Sequence, residues 1–342
     1  MSKVKSYLSL IKFSHTIFAM PFAMIGFFLG LLKIDYATSV VPGWHTKVYT
    51  TGTGQWNLNE TIGQRWDGDL EAFVSFSKDS LLGKILTGSS TVPTIILYLS
   101  LVILCMVFAR SAAMAFNRYL DRQWDAKNPR TAIREIPSGI ITPKNALAFT
   151  IANCVLFIAC TFFINSICFY LSPVALAVVL GYSYTKRFTP LCHLILGIGL
   201  SLAPIGAYLA VTGQFALLPI LFSLAVIFWV SGFDIIYALQ DEEFDKSQQL
   251  YSIPAWLGTA KALRVSEFLH VLSAAAVITA GWYGNFGWLY WIGTAVFAGM
   301  LIYQHSIVKP TDLRKVNLAF MTANGIASVV FAIFVIADLF IN

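Results

Sequence analysis

The chain has 342 residues, of which 57% are hydrophobic and only 12% are charged, and its mean hydropathy is +0.71. A soluble domain carries roughly 25% charged residues, so this composition excludes an ordinary soluble enzyme and indicates a protein that crosses a membrane many times. The formal net charge of +6 does not indicate a nucleic-acid partner, because the basic residues lie between apolar segments, and the five cysteines show neither metal-binding nor disulfide spacing.

Nine apolar stretches approach the roughly 20 residues that a helix needs to cross a bilayer. They lie near residues 13–32, 93–116, 145–165, 167–185, 191–212, 216–238, 262–283, 287–305 and 317–340. The third and fourth nearly touch, which predicts a helical hairpin with a tight turn at Asn165 and Ser166. The expected fold class is therefore all-α, a polytopic membrane protein.

The basic residues between the spans predict the orientation of the chain. If the N-terminus is cytoplasmic, 17 of the 23 Lys and Arg residues fall on the cytoplasmic side. Five others lie in or beside the first long loop, and Arg110 lies within the second span. This asymmetry favours a cytoplasmic N-terminus and an extracytoplasmic C-terminus.

The segment between the first two spans, residues 33–92, is rich in Gly, Thr, Ser, Trp and acidic residues. On the predicted topology it is an extracytoplasmic insertion in a single transmembrane domain that covers residues 1–342. Its aromatic residues could pack as a small lid or lie at the level of the lipid headgroups, and its apolar end could be an interfacial helix. The sequence leaves these alternatives open.

Acidic residues follow the second span at a regular spacing. Asn117, Asp121 and Asp125 are four residues apart, which on a helix places them on one face, each one turn above the last. Oxygen ligands stacked in this way suit a hard divalent cation. Arg130 and Arg134 follow in the same cytoplasmic loop.

A second acidic cluster follows the sixth span. It contains Asp234 and Tyr237, and then Asp241 and Asp245, which are again one helical turn apart. Two acidic clusters facing one cytoplasmic vestibule repel each other unless a cation lies between them. Mg²⁺ held by a few carboxylates and by substrate phosphates is the usual solution, so the pattern predicts a diphosphate substrate.

Each cluster also has a structural interpretation, as a solvated and salt-bridged helix face. A membrane transporter with an acidic ion site is the main alternative that is not an enzyme, but no convincing internal repeat supports it. A lipid phosphotransferase would also use clustered Asp and Mg²⁺, yet it would carry them in one compact segment. The repetition of the cluster at two span ends weakens the structural interpretation and favours a magnesium site.

The residues resemble a known family. Asn117-x-x-x-Asp121-x-x-x-Asp125, followed by Arg130-Thr131-x-x-Arg134, is similar to the first signature of the UbiA-type intramembrane prenyltransferases. Asp234-x-x-Tyr237-Ala-x-x-Asp241-x-x-x-Asp245, followed by Ser252-Ile253-Pro254, is similar to the second. The 4-hydroxybenzoate polyprenyltransferases and the menaquinone-pathway relatives are the most similar members. The resemblance covers nearly the whole chain outside residues 33–92.

This resemblance implies nine transmembrane helices around a central cavity and the transfer of a polyprenyl group from polyprenyl diphosphate to an aromatic acid acceptor in respiratory quinone biosynthesis. The implied cofactor is Mg²⁺, held by Asn117, Asp121, Asp125, Asp241 and Asp245. The implied setting is the lipid bilayer of a bacterial inner membrane, with the active site facing the cytoplasm. A 4-hydroxybenzoate-like acid is the expected acceptor, while naphthoate, a futalosine-type benzoate and haem stay open as alternatives.

Basic residues complete the expected site. Arg130, Arg134, Lys186 and Arg187 are candidates to bind diphosphate oxygens, or in the case of Lys186 or Arg187 an acceptor carboxylate. Arg110 lies two turns deeper than Asn117 on the same face, where it binds the aromatic acid or neutralises Asp121. The catalytic group is expected to comprise Asp121, Asp125, Asp234, Tyr237, Asp241 and Asp245.

Two features depart from the family pattern, and the histidines add nothing to the expected site. Many relatives have Asp directly after the first Asn, where this chain has Arg118, so one acidic contact is expected to be absent. The long first loop is also unusual. His193, His270 and His305 show no ligand spacing.

Overall fold

A computed structural model describes residues 3–11, 18–33, 59–65, 71–77, 80–86 and 92–342. The start of the predicted first span and most of the 33–92 insertion lie outside the described residues. The described residues are mostly helical.

The helices, in chain order, are α1 (Lys3–Leu10), α2 (Met20–Leu32), α3 (Leu81–Leu86), α4 (Val92–Lys127), α5 (Pro143–Ile164), α6 (Ser166–Thr185), α7 (Cys192–Thr212), α8 (Leu217–Ala238), α9 (Glu242–Ser247), α10 (Ile253–Leu257), α11 (Thr259–Tyr283), α12 (Trp288–Ile307) and α13 (Asn324–Ile341). A 3₁₀ turn (Leu239–Asp241) joins α8 to α9, and a π-helical segment (Leu318–Ala323) precedes α13. Every predicted span from the second to the eighth coincides with one of these helices to within a few residues, except that α4 extends 11 residues beyond the predicted end at 116. The ninth predicted span corresponds to the π-helical segment together with α13.

Seven helices of the described chain are long and apolar enough to cross a membrane. They are α4, α5, α6, α7, α8 with its continuation to Ser247, α11, and α13 with the preceding π-helical segment. The first predicted span corresponds to α2, which has 13 residues. The eighth corresponds to α12, which has 20 residues and includes the polar Gln304 and His305 in its last turn. A multi-pass membrane protein is therefore shown, whereas the count of nine spans stays a prediction.

Two strands qualify the all-α prediction. Strand β1 (Asn59–Arg65) pairs with β2 (Glu71–Ser77) in an antiparallel ribbon whose register runs from Asn59 opposite Ser77 to Arg65 opposite Glu71. Sequence interpretation offered a lid, headgroup-level aromatics or an interfacial helix for this insertion. The missed signal is local, because Phe73, Val74 and Phe76 are residues with high β-propensity in a segment too short to span a bilayer.

The predicted hairpin between the third and fourth spans is confirmed. Asn165 is at once the C-cap of α5 and the N-cap of α6, and its side chain accepts a hydrogen bond of 2.9 Å from the Cys168 N–H. Its Nδ2 donates to the carbonyls of Leu209 (2.9 Å) and Ala210 (3.2 Å) on α7. Backbone groups at a turn between membrane helices need such partners, because lipid supplies none.

An aromatic cluster joins α2 to the C-terminal helices. Phe22, Trp229, Phe297 and Phe331 are fully buried, and their ring centroids lie 5.3 to 6.4 Å apart. On its other side α2 packs directly on α7, where a Cβ added at Gly26 would lie 2.0 Å from the Pro204 carbonyl oxygen. This dense half of the molecule leaves the space for ligands on the side of α4 to α7.

Candidate active site

The first acidic cluster lies on a helix, although the sequence placed it in a loop. Helix α4 runs without interruption to Lys127, since no Gly or Pro occurs between Val92-Pro93 and Pro129. Asn117, Asp121 and Asp125 therefore occupy successive turns, and the Asn117 Nδ2 donates a hydrogen bond of 3.1 Å to the Asp121 Oδ2. The predicted stacking of these oxygen-bearing side chains is confirmed.

The second cluster spans a change in helix type. Asp234 and Tyr237 lie on the last two turns of α8, Asp241 ends the 3₁₀ turn, and Asp245 lies on α9. Helix α9 is followed by α10, whose N-cap is Ser252. The Ser252 hydroxyl donates a 2.9 Å hydrogen bond to the Asp245 Oδ2, so the Ser252-Ile253-Pro254 part of the motif holds that carboxylate in place.

The two clusters meet at one polar cavity of about 220 Å³. Eleven of the twelve predicted site residues line it. These are Asn117, Asp121, Asp125, Arg130, Arg134, Lys186, Arg187, Asp234, Tyr237, Asp241 and Asp245. The remaining predicted residue, Arg110, lines a different cavity.

Four of the five acidic residues in the polar cavity each face one basic residue. The pairs are Asp121 with Arg187 (3.4 Å), Asp125 with Arg134 (2.7 Å), Asp241 with Arg130, and Asp245 with Lys186 (2.7 Å). Three of them join segments that are distant in the sequence. They connect α4 to the end of α6, the loop after α4 to the 3₁₀ turn, and the end of α6 to α9. Neutralised charges of this kind let five carboxylates share a small space.

The pairing also fixes the charge of the basic residues. Burial lowers the pKa of Lys186, but the charge and hydrogen bond of Asp245 outweigh this effect, and the net pKa lies above its usual value. Burial lowers the pKa of Arg130 in the same way, while Asp241 and Tyr237 raise it above its usual value. Both side chains are therefore cationic throughout the physiological pH range.

Tyr237 is held between two neighbours. Its hydroxyl accepts a 3.0 Å hydrogen bond from the Arg130 Nη1, and its ring centroid lies 4.3 Å from that of Phe320 on the π-helical segment. A π-helical segment is rare and frequently occurs at functional sites. Sequence reasoning missed Phe320, because nothing in an apolar run distinguishes one phenylalanine from another.

Three further residues of the polar cavity were also missed. The Asn128 Nδ2 donates a 3.1 Å hydrogen bond to the Asp241 Oδ1, and the Trp124 ring lies 4.7 Å from the Arg187 guanidinium. The buried His193 on α7 contacts Asp234, with 2.7 Å between Nδ1 and Oδ2. The position of Trp124 next to Asp125 could have indicated its role, whereas no sequence signal pairs His193 with Asp234 across 41 residues.

Arg118 does not replace a cavity acid. Its guanidinium is buried and pairs with Glu135 at 3.7 Å, and it is not among the residues that line the polar cavity. Because residue 118 follows Asn117 by about 100° around the helix, its side chain points away from the face that carries Asp121 and Asp125. The difference from the family pattern therefore leaves the cavity lining intact.

A second cavity, of about 410 Å³, lies between α4, α5, α6 and α7. It is lined mostly by apolar side chains, and it shares Tyr182 and Leu196 with the polar cavity. Arg110 lines this apolar cavity, and its Nε has no hydrogen-bond partner among the described residues. A buried guanidinium with a free donor has the chemistry to bind an anionic group.

The oxygen donors of the polar cavity suit a magnesium ion, although four of its carboxylates form ion pairs with Arg or Lys in the structure. Within the described ranges, no group of three or more His, Cys, Asp or Glu side chains is placed to hold a metal ion. The Asp125 Oδ2 is buried and has no hydrogen-bond partner there, so it retains free lone pairs. Carboxylate and amide oxygens are the ligands that Mg²⁺ prefers.

Comparison with known proteins gives the same family as the motifs. Residues 80–326 match the model of the UbiA prenyltransferase family. A 4-hydroxybenzoate octaprenyltransferase from Tolumonas auensis is 30% identical over 224 residues, which are 65% of this chain and 78% of that protein. One from Klebsiella pneumoniae is 31% identical over 222 residues, covering 65% and 77% of the two chains.

Solved structures share the fold. A UbiA homologue from Aeropyrum pernix in its apo form has 27% sequence identity and a TM-score of 0.67, with 96% of this chain and 97% of that chain covered. A UbiA homologue from Archaeoglobus fulgidus, bound to DMAPP and Mg²⁺, has 17% identity and a TM-score of 0.62 and covers 98% and 100%. At that identity the second comparison supports the fold only.

Proposed function

The chain belongs to the UbiA prenyltransferase family, and on this premise we propose that it transfers a polyprenyl group from polyprenyl diphosphate to a 4-hydroxybenzoate-like acceptor in ubiquinone biosynthesis. The relatives from Tolumonas auensis and Klebsiella pneumoniae are named for that activity, and the match to this chain covers more than three quarters of the length of each. The reaction joins the allylic carbon of the tail to the aromatic ring and releases diphosphate.

One observation supports this proposal above the others. A cavity lined by paired acids and bases adjoins a larger apolar cavity, and the two share Tyr182 and Leu196. A polyprenyl diphosphate has the same two parts, a charged head and a long apolar tail. Its head fits the chemistry of the polar cavity, and its first isoprene units fit the apolar one.

The acidic residues are proposed to hold Mg²⁺. Asn117, Asp121 and Asp125 on α4 form one set of oxygen donors, and Asp241 with Asp245 forms the other. Bound Mg²⁺ supplies Lewis-acid stabilisation of the charge that develops on the leaving diphosphate. The five side chains place their oxygens on both sides of the cavity, which suits a head group bound between the two clusters.

The basic residues are proposed to exchange partners when the substrate binds. Arg130, Arg134, Lys186 and Arg187 neutralise carboxylates in the structure, and arginine also binds phosphate oxygens in a bidentate manner. Once a cation neutralises the carboxylates, these side chains are free to bind the diphosphate. Each base thus serves to keep the acids together before binding and to hold the anionic head afterwards.

Arg110 is proposed to bind the carboxylate of the acceptor, with Asp234 and Tyr237 orienting its ring. Arg110 lies on the apolar side of Tyr182 and Asp234 on its polar side. An aromatic acid between them has its carboxylate near the guanidinium and its ring next to the allylic end of the tail. The acceptor remains to be distinguished from naphthoate, a futalosine-type benzoate or haem.

For the topology we propose nine crossings in one domain of residues 1–342, with the N-terminus in the cytoplasm of a bacterial cell and the 33–92 insertion outside. The distribution of Lys and Arg supports this orientation. Both acidic clusters then face the cytoplasm, where the soluble aromatic acid is available. Cysteine labelling at positions 60 and 311 from each side of the membrane tests this arrangement.

The activity test measures prenyl transfer in membranes with octaprenyl diphosphate, Mg²⁺ and a panel of aromatic acids. We expect diphosphate release only when an acceptor is present, complete loss with a chelator, and recovery on adding Mg²⁺. Asp121→Ala should reduce transfer by about a hundredfold or more while the protein stays folded. Release of diphosphate without an acceptor, or full activity of the variant, would contradict the assignment.

A further inference from the structure

Asp234 differs from the other acidic residues of the polar cavity in its partner. Asp121, Asp125, Asp241 and Asp245 each face Arg or Lys, whereas Asp234 contacts the imidazole of His193. The carboxylate of Asp234 therefore plays a different part from the four that share charge with bases.

The hydrogen bonds around His193 define its tautomer. The Ile253 backbone N–H donates to Nε2 at 3.4 Å, so Nε2 is the acceptor and Nδ1 carries the proton. Nδ1 then donates to the Asp234 Oδ2 at 2.7 Å. The imidazole is 3% exposed and the Asp234 side chain 24% exposed, so His193 lies behind Asp234 and the carboxylate faces the cavity.

Helix packing holds His193 firmly in this place. One turn further along α7, a Cβ at Gly197 would lie 2.5 Å from the Ile227 carbonyl oxygen, so only glycine lets α7 approach α8 this closely. The Ser231 hydroxyl donates a 3.1 Å hydrogen bond to the His193 backbone carbonyl. Because α7 packs this closely against α8, the His193 side chain is held next to the Asp234 carboxylate.

The Asp234 carboxylate keeps a second acceptor oxygen. Oδ2 is engaged with His193, and Oδ1 belongs to a side chain that lines the cavity. The other four carboxylates are committed to bases or, in the proposed mechanism, to metal. A neutral hydroxyl group is the complementary partner for such an oxygen, since a hydrogen bond to a charged acceptor is stronger than one between neutral groups.

We infer that His193 is a positioning residue that directs Asp234 Oδ1 toward the ring hydroxyl of the aromatic acceptor, and that this pair selects hydroxylated acceptors. The inference rests on the proposed function and deepens it. Asp234 touches the acceptor, whereas His193 acts only through Asp234. Neither residue needs to contact the diphosphate or the metal.

Two amide variants separate this role from a structural one. In His193→Asn the amide nitrogen reaches the position of Nδ1 and keeps the donor to Asp234, but it loses the acceptor for Ile253. In His193→Gln the amide reaches the position of Nε2 and keeps a partner for Ile253, but it loses the donor to Asp234. The two variants therefore remove one hydrogen bond each.

The experiment measures kcat and KM for 4-hydroxybenzoate in membranes, together with the inhibition constant of benzoate, which lacks the hydroxyl. We expect His193→Asn to keep the acceptor KM within about threefold of the wild type, and His193→Gln to raise it by about tenfold or more. The KM for octaprenyl diphosphate and the benzoate inhibition constant should not change in either variant. Thermal unfolding of both purified proteins shows whether each is folded.

Three outcomes would contradict the role of His193. An active His193→Gln with an impaired His193→Asn would show that His193 acts through the Ile253 segment and would overturn the inference, as would a benzoate inhibition constant that rises in parallel with the acceptor KM. In the double variant His193→Gln with Asp234→Asn, the losses should not add, and additive losses would also overturn it. If the wild type transfers no prenyl group to any aromatic acid, the proposed function itself fails.

Discussion

The two cavities differ in whether their charged residues have partners of opposite charge. In the polar cavity, four carboxylates each face a base from a neighbouring segment. In the apolar cavity, Arg110 is the one charged residue among the described lining residues, and its Nε has no hydrogen-bond partner there. Most carboxylates of the first cavity are therefore neutralised by bases, whereas Arg110 has no acidic residue among the described residues that line the second.

Under the proposed function, this difference separates the two parts of the substrate. A ligand that enters the polar cavity must compete with existing ion pairs, so it has to bring both cationic and anionic charge, as Mg²⁺ and diphosphate together do. A ligand that enters the apolar cavity has to contribute apolar surface and, near Arg110, a single negative group. Variants in the first cavity should therefore alter turnover most, and variants in the second should alter substrate choice.

The largest expected effect tests the paired cavity. Asp241→Asn removes the charge opposite Arg130 and one proposed metal ligand, and we expect kcat/KM for prenyl transfer to fall by about a hundredfold or more. Asp312→Asn is the matched control, because Asp312 also pairs with an arginine, Arg314 at 2.8 Å, but lies outside both cavities. Equal losses in the two variants would show that ion pairing in general, and not the cavity, supports activity.

The next effect tests the unpartnered charge. Arg110→Leu should raise the acceptor KM by about tenfold to a hundredfold, because it removes a charge-assisted hydrogen bond to the carboxylate. The KM for octaprenyl diphosphate should stay close to that of the wild type. Initial-rate measurements with each substrate varied in turn give both constants. A rise confined to the KM for octaprenyl diphosphate would show that Arg110 binds the diphosphate and not the acceptor, and it would contradict the proposed difference between the two cavities.

A third variant changes the shape of the apolar cavity without changing its charge. Gly206 lines this cavity, and a Cβ added there meets no atom within 4 Å, so a larger side chain can begin at this position without a clash and Gly206→Phe is expected to reduce the ligand space. We expect turnover with octaprenyl diphosphate to fall by about tenfold and turnover with dimethylallyl diphosphate to change little. Gly299→Phe is the control, since Gly299 is equally open and lies outside both cavities. Equal losses with long and short tails would place the tail elsewhere.

The smallest effect concerns the packing beneath the polar cavity. A Cβ at Gly197 would lie 2.5 Å from the Ile227 carbonyl oxygen and 2.6 Å from the Ser231 Oγ. Gly197→Ala should therefore lower the free energy of unfolding by about 1 to 3 kcal/mol, and Gly299→Ala should not lower it. Thermal unfolding in detergent compares the two variants. If Gly197→Ala is as stable as the control, the contact of α7 with α8 is looser than the structure shows.

The sequence alone determined the membrane class and most of the spans. Apolar runs of about 20 residues are sufficient for this, because a lipid-exposed backbone must satisfy its own hydrogen bonds within each helix. The tight turn at Asn165 and the stacking of Asn117, Asp121 and Asp125 also follow from local rules of chain geometry. The sequence also predicted that both acidic clusters line one cavity, because carboxylates repeated at two span ends need positive charge between them.

Only the tertiary structure decided which basic residue faces which acidic residue, and which buried side chains contact those acidic residues. Spacing along the chain could not show that Asp121 faces Arg187 or that Asp245 faces Lys186, because these partners belong to helices that meet only after folding. His193 was set aside in the sequence and yet holds Asp234, because the contact depends on how closely α7 packs against α8 at Gly197. The spacing of residues along the sequence determines which side chains share a helix face, and the packing of the helices determines which other side chains that face contacts.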